Sequence, residues 1–486
     1  MSGIQVPRLR AAVDVGIQVL GRAINLVPGI VVTVLLTRSL GDDGFGEWST
    51  VLAVVQIATP FGDFGLEQVA VRKAAAARHE ERAWIGALIT LRLAFALPVA
   101  IVTAVVQLVV ADNSEMAAAG LLLTGTLLLA PLSMTRVAFQ TRVRNDLTIL
   151  VLTVNSILWT AAVVAIAATD GGMVWFAAAF LASAVGSVGL GLWLGSRLSR
   201  PRLRGSRRLW RELARIGVPI GVAGLIVTAY VKLDQVMLFS LAGAEDAGLY
   251  GAVYRFLDQA QFVPAALMTT LFPIMASSWP EDPERVRRIG RLIADYLAIV
   301  SLPALGFTLV ASEPVVHLLF GDDFLRAADA LPILMGAFVV ICFGYLAGNL
   351  VVVLELQRLF LRNALIALVF NVVLNLILIP PYGFVAAAWV TLATEVLVTA
   401  LTLSAALRRL ELTLRLRRML LATLAAALMT GAVAGLKALG APLGVLLAGA
   451  AVSYSAAVLL VGAVRLDEIR QIVQLRGERG GGAGPA

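Results

Sequence analysis

The sequence has 486 residues, of which 59% are hydrophobic and 14% are charged, and its mean hydropathy is +0.90. Soluble globular proteins carry roughly 45–50% apolar and about 25% charged residues, so the composition excludes an ordinary soluble enzyme, a disordered protein and a disulfide scaffold. In a soluble protein the net charge of +8 would suggest a nucleic-acid partner. Its meaning here depends on where the basic residues lie.

Long apolar segments run through the whole chain. A helix that crosses about 30 Å of hydrocarbon needs about 20 mostly apolar residues. The apolar residues of these segments do not alternate with period two, which favours helices over a membrane β-barrel. We therefore predict an all-α, polytopic membrane protein with about 14 transmembrane helices. In chain order the predicted spans are 14–36, 47–69, 84–110, 117–140, 148–168, 173–195, 215–242, 248–275, 289–311, 328–353, 359–379, 383–406, 418–439 and 443–464.

Basic residues set the orientation of these spans, because Lys and Arg concentrate in cytoplasmic loops. With both termini in the cytoplasm, most of the 39 Lys and Arg residues lie in inner segments, and the outer segments hold only Arg38, Arg326 and Lys437. This asymmetry requires an even number of spans. It also explains the basic net charge without nucleic acid, since the inner loops face anionic lipids. The remaining basic residues lie within spans and are Arg22, Arg92, Lys232 and Arg255.

The longest inner connection, 196–214, divides the chain into two predicted six-helix lobes, 1–195 and 215–406. Two extra helices (407–464) and a cytoplasmic tail (465–486) follow. Six spans restore the starting orientation, so the lobes are predicted to form a parallel repeat about an axis along the membrane normal.

The first outer loop of each lobe can be aligned at an offset of 204 residues. This alignment matches Asp42 with Asp246 and Gly44 with Gly248. A chance match between two short loops that contain Asp and Gly is the alternative interpretation.

Three segments, 35–73, 232–278 and 317–331, carry a family resemblance. The first has a short glycine-rich loop and, one span later, an aspartate, a Gly-Leu pair and a basic residue. The matching positions are Leu40-Gly41, Gly44-Phe45-Gly46, Asp63, Gly65-Leu66 and Arg72. Over about 1–406 the sequence resembles bacterial lipid-linked oligosaccharide flippases of the multidrug/oligosaccharidyl-lipid/polysaccharide exporter superfamily.

The resemblance implies two six-helix lobes around a central cavity in the bacterial cytoplasmic (inner) membrane. By alternating access, the cavity would carry the diphosphate-linked glycan of a polyprenyl lipid from the inner to the outer leaflet. The implied partners are this lipid-linked oligosaccharide and membrane lipids, with a polysaccharide polymerase and glycosyltransferases as further candidates. Nucleic acid, metal and organic cofactors are not expected, and coupling to H⁺ or Na⁺ is an open option.

Ionisable residues inside spans are costly and mark candidate sites. Near the cytoplasmic side, Arg22, Asp63, Glu67 and Arg92 belong to the first three spans and are expected to share a cluster. Arg22 is the candidate ligand for the lipid diphosphate, because a guanidinium binds phosphate through two hydrogen bonds. The alternative is an internal salt bridge between Arg22 and Asp63. For Arg92 a structural or snorkelling role is favoured.

A second group of charges lies in the outer part of spans 7 and 8. Arg255 and Asp258 are three residues apart and so share a helix face. Lys232 and Arg255 are candidate cavity cations for the substrate, and Asp234 and Asp258 complete the predicted network. The alternative is a mutually neutral network without a substrate role.

Two carboxylates, Asp295 in span 9 and Glu395 in span 12, have no obvious basic partner in the sequence. An unpaired buried carboxyl can change its protonation during a transport cycle. Both residues are therefore candidates for coupling to H⁺ or Na⁺. The alternative is that each is protonated and hydrogen-bonded to a neighbouring helix.

Two other functions remain compatible with the sequence. A cation-coupled multidrug exporter of the same superfamily is expected to have an acidic, aromatic cavity, and the acids within the spans leave this option open. The second alternative is a non-transporting membrane subunit of a polysaccharide-synthesis complex. The sequence shows neither a Walker A motif nor a nucleophile–base pair, so we do not predict an enzyme.

Overall fold

The computed structural model of the protein describes residues 26–76, 80–142, 144–198 and 206–463. Within these ranges the backbone forms α-helices and short 3₁₀ helices but no β-strand, which confirms the all-α prediction. The helices are α1 (Leu26–Asp63), α2 (Leu66–Ala76), α3 (Glu81–Val110), α4 (Ser114–Leu129), a 3₁₀ helix (Leu132–Arg136), α5 (Val137–Thr141), α6 (Asn145–Ala167), α7 (Met173–Leu198), α8 (Arg207–Ala242), α9 (Ala244–Ala260), α10 (Phe262–Ser278), α11 (Pro283–Phe320), a 3₁₀ helix (Asp322–Asp329), α12 (Leu331–Val353), α13 (Gln357–Leu410), α14 (Leu416–Ala438) and α15 (Leu443–Leu460).

Eleven helical segments within the described ranges are long and apolar enough to cross a membrane. They make the chain a multi-pass membrane protein, whereas the predicted number of 14 spans is not confirmed. One reason is that neighbouring spans run together: α13 has 54 residues and contains both 359–379 and 383–406. In addition, the first predicted span starts before Leu26 and lies partly outside the described residues.

Glycines with positive φ break the backbone where two predicted spans meet. Gly41 interrupts α1 with φ 69° and ψ −174°, and Gly243 separates α8 from α9 with φ 95° and ψ −179°. Gly383 interrupts α13 with φ 58° and ψ −142°. A Cβ is disfavoured in this region of φ, so glycine is the residue that permits the break.

The shared backbone conformation of Gly41 and Gly243 places the repeat at an offset of 202 residues. The predicted offset of 204 is therefore wrong by two positions. The alignment of residue identities matched Gly44 with Gly248. In the structure Gly46 corresponds to Gly248, because each lies five residues after the glycine at which the helix breaks.

These two glycines form a reciprocal close contact between α1 and α9. A Cβ built on Gly46 would lie 1.9 Å from the carbonyl oxygen of Ala244, and one built on Gly248 would lie 1.9 Å from the carbonyl oxygen of Asp42. Both neighbours are backbone atoms, which cannot rotate away as a side chain can. Small residues of this kind allow membrane helices to approach each other closely.

The chain forms two compact units, each assembled from separate segments. The first contains α1 to α9 and the middle of α13, and the second contains α12, α14, α15, nearly all of α10 and α11, and both ends of α13. The division at 196–214 into two six-helix lobes stays a prediction. The first unit comprises Met1–Phe262, Phe320–Ala330 and Leu361–Thr394, and the second comprises Val263–Leu319, Leu331–Phe360 and Glu395–Ala486.

In the second unit the two C-terminal helices pack on α11. Ala311 of α11 lies in one apolar cluster with Met429 of α14 and Leu446 of α15. At Gly306 a Cβ would lie 2.4 Å from the Thr430 hydroxyl oxygen, so α11 and α14 are in close contact there.

The Gly46–Gly248 contact generates a stability prediction. Gly46→Ala or Gly248→Ala is expected to lower the free energy of unfolding by about 1–3 kcal/mol, because the helices must separate to admit the methyl group. Thermal unfolding in detergent, followed by scattering and tryptophan fluorescence, measures the effect. Gly224→Ala on α8 is the control, since a Cβ there meets no atom within 4 Å. Equal midpoints for all three variants would contradict the prediction.

Candidate functional site

In the first unit, Asp63 is neutralised by Arg92. Nη1 of Arg92 lies 3.0 Å from Oδ1 of Asp63, and the arginine side chain is only 4% exposed. The neighbouring Glu67 accepts a hydrogen bond of 3.1 Å from Nε2 of Gln140. This ion pair favours the structural interpretation of Arg92. Arg22, the predicted diphosphate ligand and alternative partner of Asp63, lies outside the described residues.

Spans 7 and 8 bring Lys232 and Asp258 together. Nζ of Lys232 lies 3.1 Å from Oδ2 and 3.2 Å from Oδ1 of Asp258. The ammonium group is also 4.7 Å from the centre of the Tyr254 ring. Lys232 therefore belongs to a neutral pair with a cation–π contact, and the sequence spacing that suggested Arg255 as the partner of Asp258 did not reveal this pair.

Arg255 has no direct partner among the described residues. The guanidinium is half-buried and forms no hydrogen bond or ion pair with any residue in 26–76, 80–142, 144–198 or 206–463. A guanidinium stays charged at any working pH and presents a planar fork of donors. Of the predicted cavity cations that the structure describes, Arg255 is the one available to an anion.

Asp234 lies at the centre of a buried hydrogen-bonded cluster. Its side chain is 2% exposed, and Oδ2 accepts hydrogen bonds from the Tyr250 hydroxyl at 2.5 Å and from the Thr391 hydroxyl at 3.1 Å. Its other oxygen accepts a bond from the backbone N–H of Gln235 at 2.8 Å. The sequence identified Asp234 but not Tyr250 or Thr391, because Thr391 is 157 residues away and brings no charge to the spans.

A cavity of about 250 Å³ opens beside Arg255 in the first unit. Arg255 also lines a second, smaller hollow together with Lys232, Asp234 and Asp258. Among the described residues that line the larger cavity, Arg255 carries the sole charge. These residues are Pro28, Gly29, Val32, Thr33, Leu36, Phe45, Trp48, Leu52, Gln56, Ser156, Trp159, Thr160, Phe180, Arg255 and Gln259.

The second unit holds the two predicted coupling residues, and one expectation about them is wrong. Asp295 is 3% exposed, and its Oδ2 lies 3.3 Å from Nη1 of Arg418 and 3.5 Å from Nη1 of Arg415. The arginines were not recognised as partners because they belong to a predicted inner loop more than a hundred residues further along the chain. Glu395 is also buried, on α13.

The site therefore combines a permanent cation with a cavity that has aromatic and amide walls. On the side of the larger cavity, an anionic group placed against Arg255 would meet no carboxylate among the described lining residues, whereas the smaller hollow holds Asp234 and Asp258. The neighbouring pairs, by contrast, are already neutral. The arrangement is suited to binding a polar anion, and the described residues offer no group of three or more His, Cys, Asp and Glu side chains that could hold a metal ion.

Comparisons with known proteins agree with the fold. The structure is similar to the lipid II flippase MurJ in its inward closed conformation, with a TM-score of 0.72 and 11% sequence identity, over 90% of this chain and 97% of that one. It is also similar to an inward-facing multidrug resistance transporter of the MATE family, with a TM-score of 0.65 and 12% identity, over 81% of this chain and 98% of that one. At these identities the likeness shows the fold alone.

Sequence comparison finds archaeal relatives. The probable low-salt glycan biosynthesis flippase Agl15 of Haloferax volcanii is 25% identical over 201 residues, which cover 41% of this chain and 41% of the relative. The probable flippase AglR of the same organism is 28% identical over 184 residues, covering 36% of this chain and 38% of the relative. The chain thus spans about two fifths of the length of these relatives. Both are named as flippases rather than enzymes.

A family model described as "Polysaccharide biosynthesis protein" matches residues 12–279. This region holds Arg22, Asp63, Lys232, Asp234, Arg255 and Asp258. The resemblance that the sequence motifs indicated is thereby confirmed. Because the match covers more than half of the chain, this membrane protein belongs to the polysaccharide biosynthesis protein family.

Proposed function

We propose that the protein is a flippase that moves a polyprenyl-diphosphate-linked oligosaccharide from the inner to the outer leaflet of a bacterial cytoplasmic membrane. Family membership and the flippase names of the relatives support this proposal. The glycan and diphosphate would cross inside the protein by alternating access while the lipid tail stays in the bilayer. The N- and C-termini would lie in the cytoplasm. Polysaccharide polymerase and glycosyltransferases are candidate partners.

The guanidinium of Arg255, which no described residue binds, is the observation that carries the proposal. A diphosphate cannot enter hydrocarbon without a large desolvation cost, so a carrier must offer it charge and hydrogen bonds. Arg255 faces a cavity whose other described lining residues are uncharged, and its guanidinium can bind a phosphate through two parallel hydrogen bonds. Lys232 is less suited, because Asp258 already neutralises it.

The same observation argues against a multidrug exporter for organic cations. Arg255 would repel such a substrate, and the larger cavity has no carboxylate among its described lining residues to attract it. A non-transporting subunit of a synthesis complex would hold a diphosphate with the same cation, so the cavity does not separate it from a flippase. Direct measurement of transport separates these alternatives.

Coupling to H⁺ or Na⁺ stays a prediction, and the contacts favour Asp234 over Asp295 for it. Asp295 faces two guanidinium groups, which stabilise its charged form. Asp234 is bonded instead to the hydroxyls of Tyr250 and Thr391, which can accompany either a carboxylate or a carboxylic acid. Glu395 stays a candidate from its burial in α13.

Replacement of Arg255 tests the proposed substrate contact. In proteoliposomes that contain a fluorescent undecaprenyl-diphosphate disaccharide, Arg255→Gln is expected to slow translocation by about tenfold or more, since hydrogen bonds to charged groups contribute about 1.5–3 kcal/mol. Arg255→Lys keeps the charge and should retain an intermediate rate. Accessibility of the fluorophore to an impermeant quencher measures the rate. Arg144→Gln is the control, because Arg144 is exposed and paired with Asp146. Undiminished transport by Arg255→Gln would overturn the proposal.

A second experiment tests coupling. Imposed H⁺ and Na⁺ gradients should accelerate transport by the unsubstituted protein. In Asp234→Asn the ratio of the rates with and without the gradient should fall by about tenfold or more, because an amide cannot change charge. Asp295→Asn is the matched control and should keep the response to the gradient while losing stability, since it leaves two arginines without their carboxylate. A gradient response that survives in Asp234→Asn would exclude this residue.

A further inference from the structure

The larger cavity of the first unit has two chemically distinct sides. Trp159 of α6 and Phe180 of α7 form an aromatic side, whereas Gln56 of α1 and Arg255 and Gln259 of α9 form a polar side. Trp159 and Phe180 are half-buried, so each keeps some accessible ring surface.

The aromatic side is formed by a packed cluster of rings. Trp159 packs edge-to-face against Phe180, with ring centres 5.1 Å apart at 88°. Trp48 lies nearly parallel to Trp159 at 14° with ring centres 6.1 Å apart, and it is only 1% exposed. Trp48 therefore supports the two accessible rings from the core, which fixes their orientation without offering much surface of its own.

Two buried polar atoms at this side have unfilled hydrogen-bonding capacity. Nε1 of Trp48 and the hydroxyl of Thr160 form no hydrogen bond with any residue of the described part of the chain. Both residues line the cavity. Buried polar groups without a partner are uncommon in folded proteins, and a polar ligand is one means of satisfying them.

The polar side is shaped by a glycine. A Cβ on Gly29 would lie 2.7 Å from Nε2 of Gln259, so the absence of a side chain at position 29 makes room for this amide. The amides of Gln56 and Gln259 each offer two donors and an acceptor. They can therefore both donate to and accept from a hydroxyl group, whereas Arg255 can only donate.

We infer that this cavity is a saccharide subsite in which Trp159 and Phe180 contact the face of a pyranose ring while Gln56 and Gln259 bind its hydroxyls. The inference rests on the proposed function and assigns the glycan part of the substrate to named residues. A pyranose has an apolar face of C–H groups and a rim of hydroxyls, and C–H groups are attracted to the negative face of an aromatic ring. A lipid tail would leave the amides unused, and an organic cation would be repelled by Arg255.

Binding of matched lipids to the detergent-solubilised full chain tests the inference. The probes are undecaprenyl diphosphate without sugar and undecaprenyl diphosphate carrying glucose, galactose or N-acetylglucosamine. The natural sequence should bind at least one sugar-bearing probe about two- to tenfold more tightly than the sugar-free one. Trp159→Ala should remove this difference and leave the affinity for the sugar-free probe unchanged, whereas Arg255→Gln should weaken binding of every probe.

Matched variants separate recognition from folding. Trp159→Phe keeps an aromatic face and should restore part of the preference for sugar. Phe180→Leu keeps an apolar side chain and should lose it. Trp175→Ala on the same helix as Phe180 is the control, because Trp175 is 67% exposed and does not line the cavity. Thermal unfolding midpoints establish that each variant is folded.

The outcomes distinguish the two proposals. If the natural sequence binds undecaprenyl diphosphate but shows no preference for any sugar-bearing probe, the saccharide subsite is wrong and the flippase proposal stands. The same holds if Trp159→Ala weakens all probes equally. If the natural sequence binds none of the four lipids, both proposals are overturned.

Discussion

A charge inside a membrane protein must be neutralised by a neighbour or face a polar cavity, and this constraint organises the described charges of the spans. Asp63 is paired with Arg92, Asp258 with Lys232, and Asp295 with Arg415 and Arg418. Such pairs allow the helices to carry charge at a small net cost, but they leave little capacity for a ligand. Two described charges depart from this pattern: Asp234 is bonded to hydroxyl groups instead of a basic side chain, and Arg255 faces the polar side of a cavity.

The close contact between α1 and α9 determines where Arg255 lies. Arg255 follows Gly248 by seven residues, which is about two helical turns and brings both to nearly the same face of α9. Trp48 follows Gly46 by two residues on α1. The reciprocal glycine contact therefore fixes the spacing between the helix that carries the cation and the helix that supports the aromatic cluster. A shift of either helix would change the cavity rather than only the packing.

Sequence reasoning was most successful where a local signal was enough. Hydropathy predicted the all-α membrane fold. Charges inside spans pointed to Lys232, Asp234, Arg255 and Asp258, which the structure places around one small hollow, while their roles stay a prediction. Sequence reasoning failed where the relevant contact is distant in sequence. The arginines that face Asp295 and the Thr391 hydroxyl at Asp234 are each more than a hundred residues away.

The cavity-lining residues Trp159 and Phe180 were also missed, because an aromatic residue in a span has the same pattern whether it faces a cavity, the core or lipid. The offset of the repeat was wrong for a related reason, since backbone conformation at Gly41 and Gly243 is not visible in side-chain identities.

The neutral Lys232–Asp258 pair has an electrical consequence for the proposed reaction. Since this pair contributes no net charge, Arg255 would face the diphosphate as the single described cation of the larger cavity. One guanidinium does not balance the full negative charge of a diphosphate, so the occupied cavity would remain anionic. In a cell whose interior is negative, outward movement of an anion is favoured by about 2.3 kcal/mol per charge for each 100 mV. The membrane voltage itself would then supply direction to the export of the glycan.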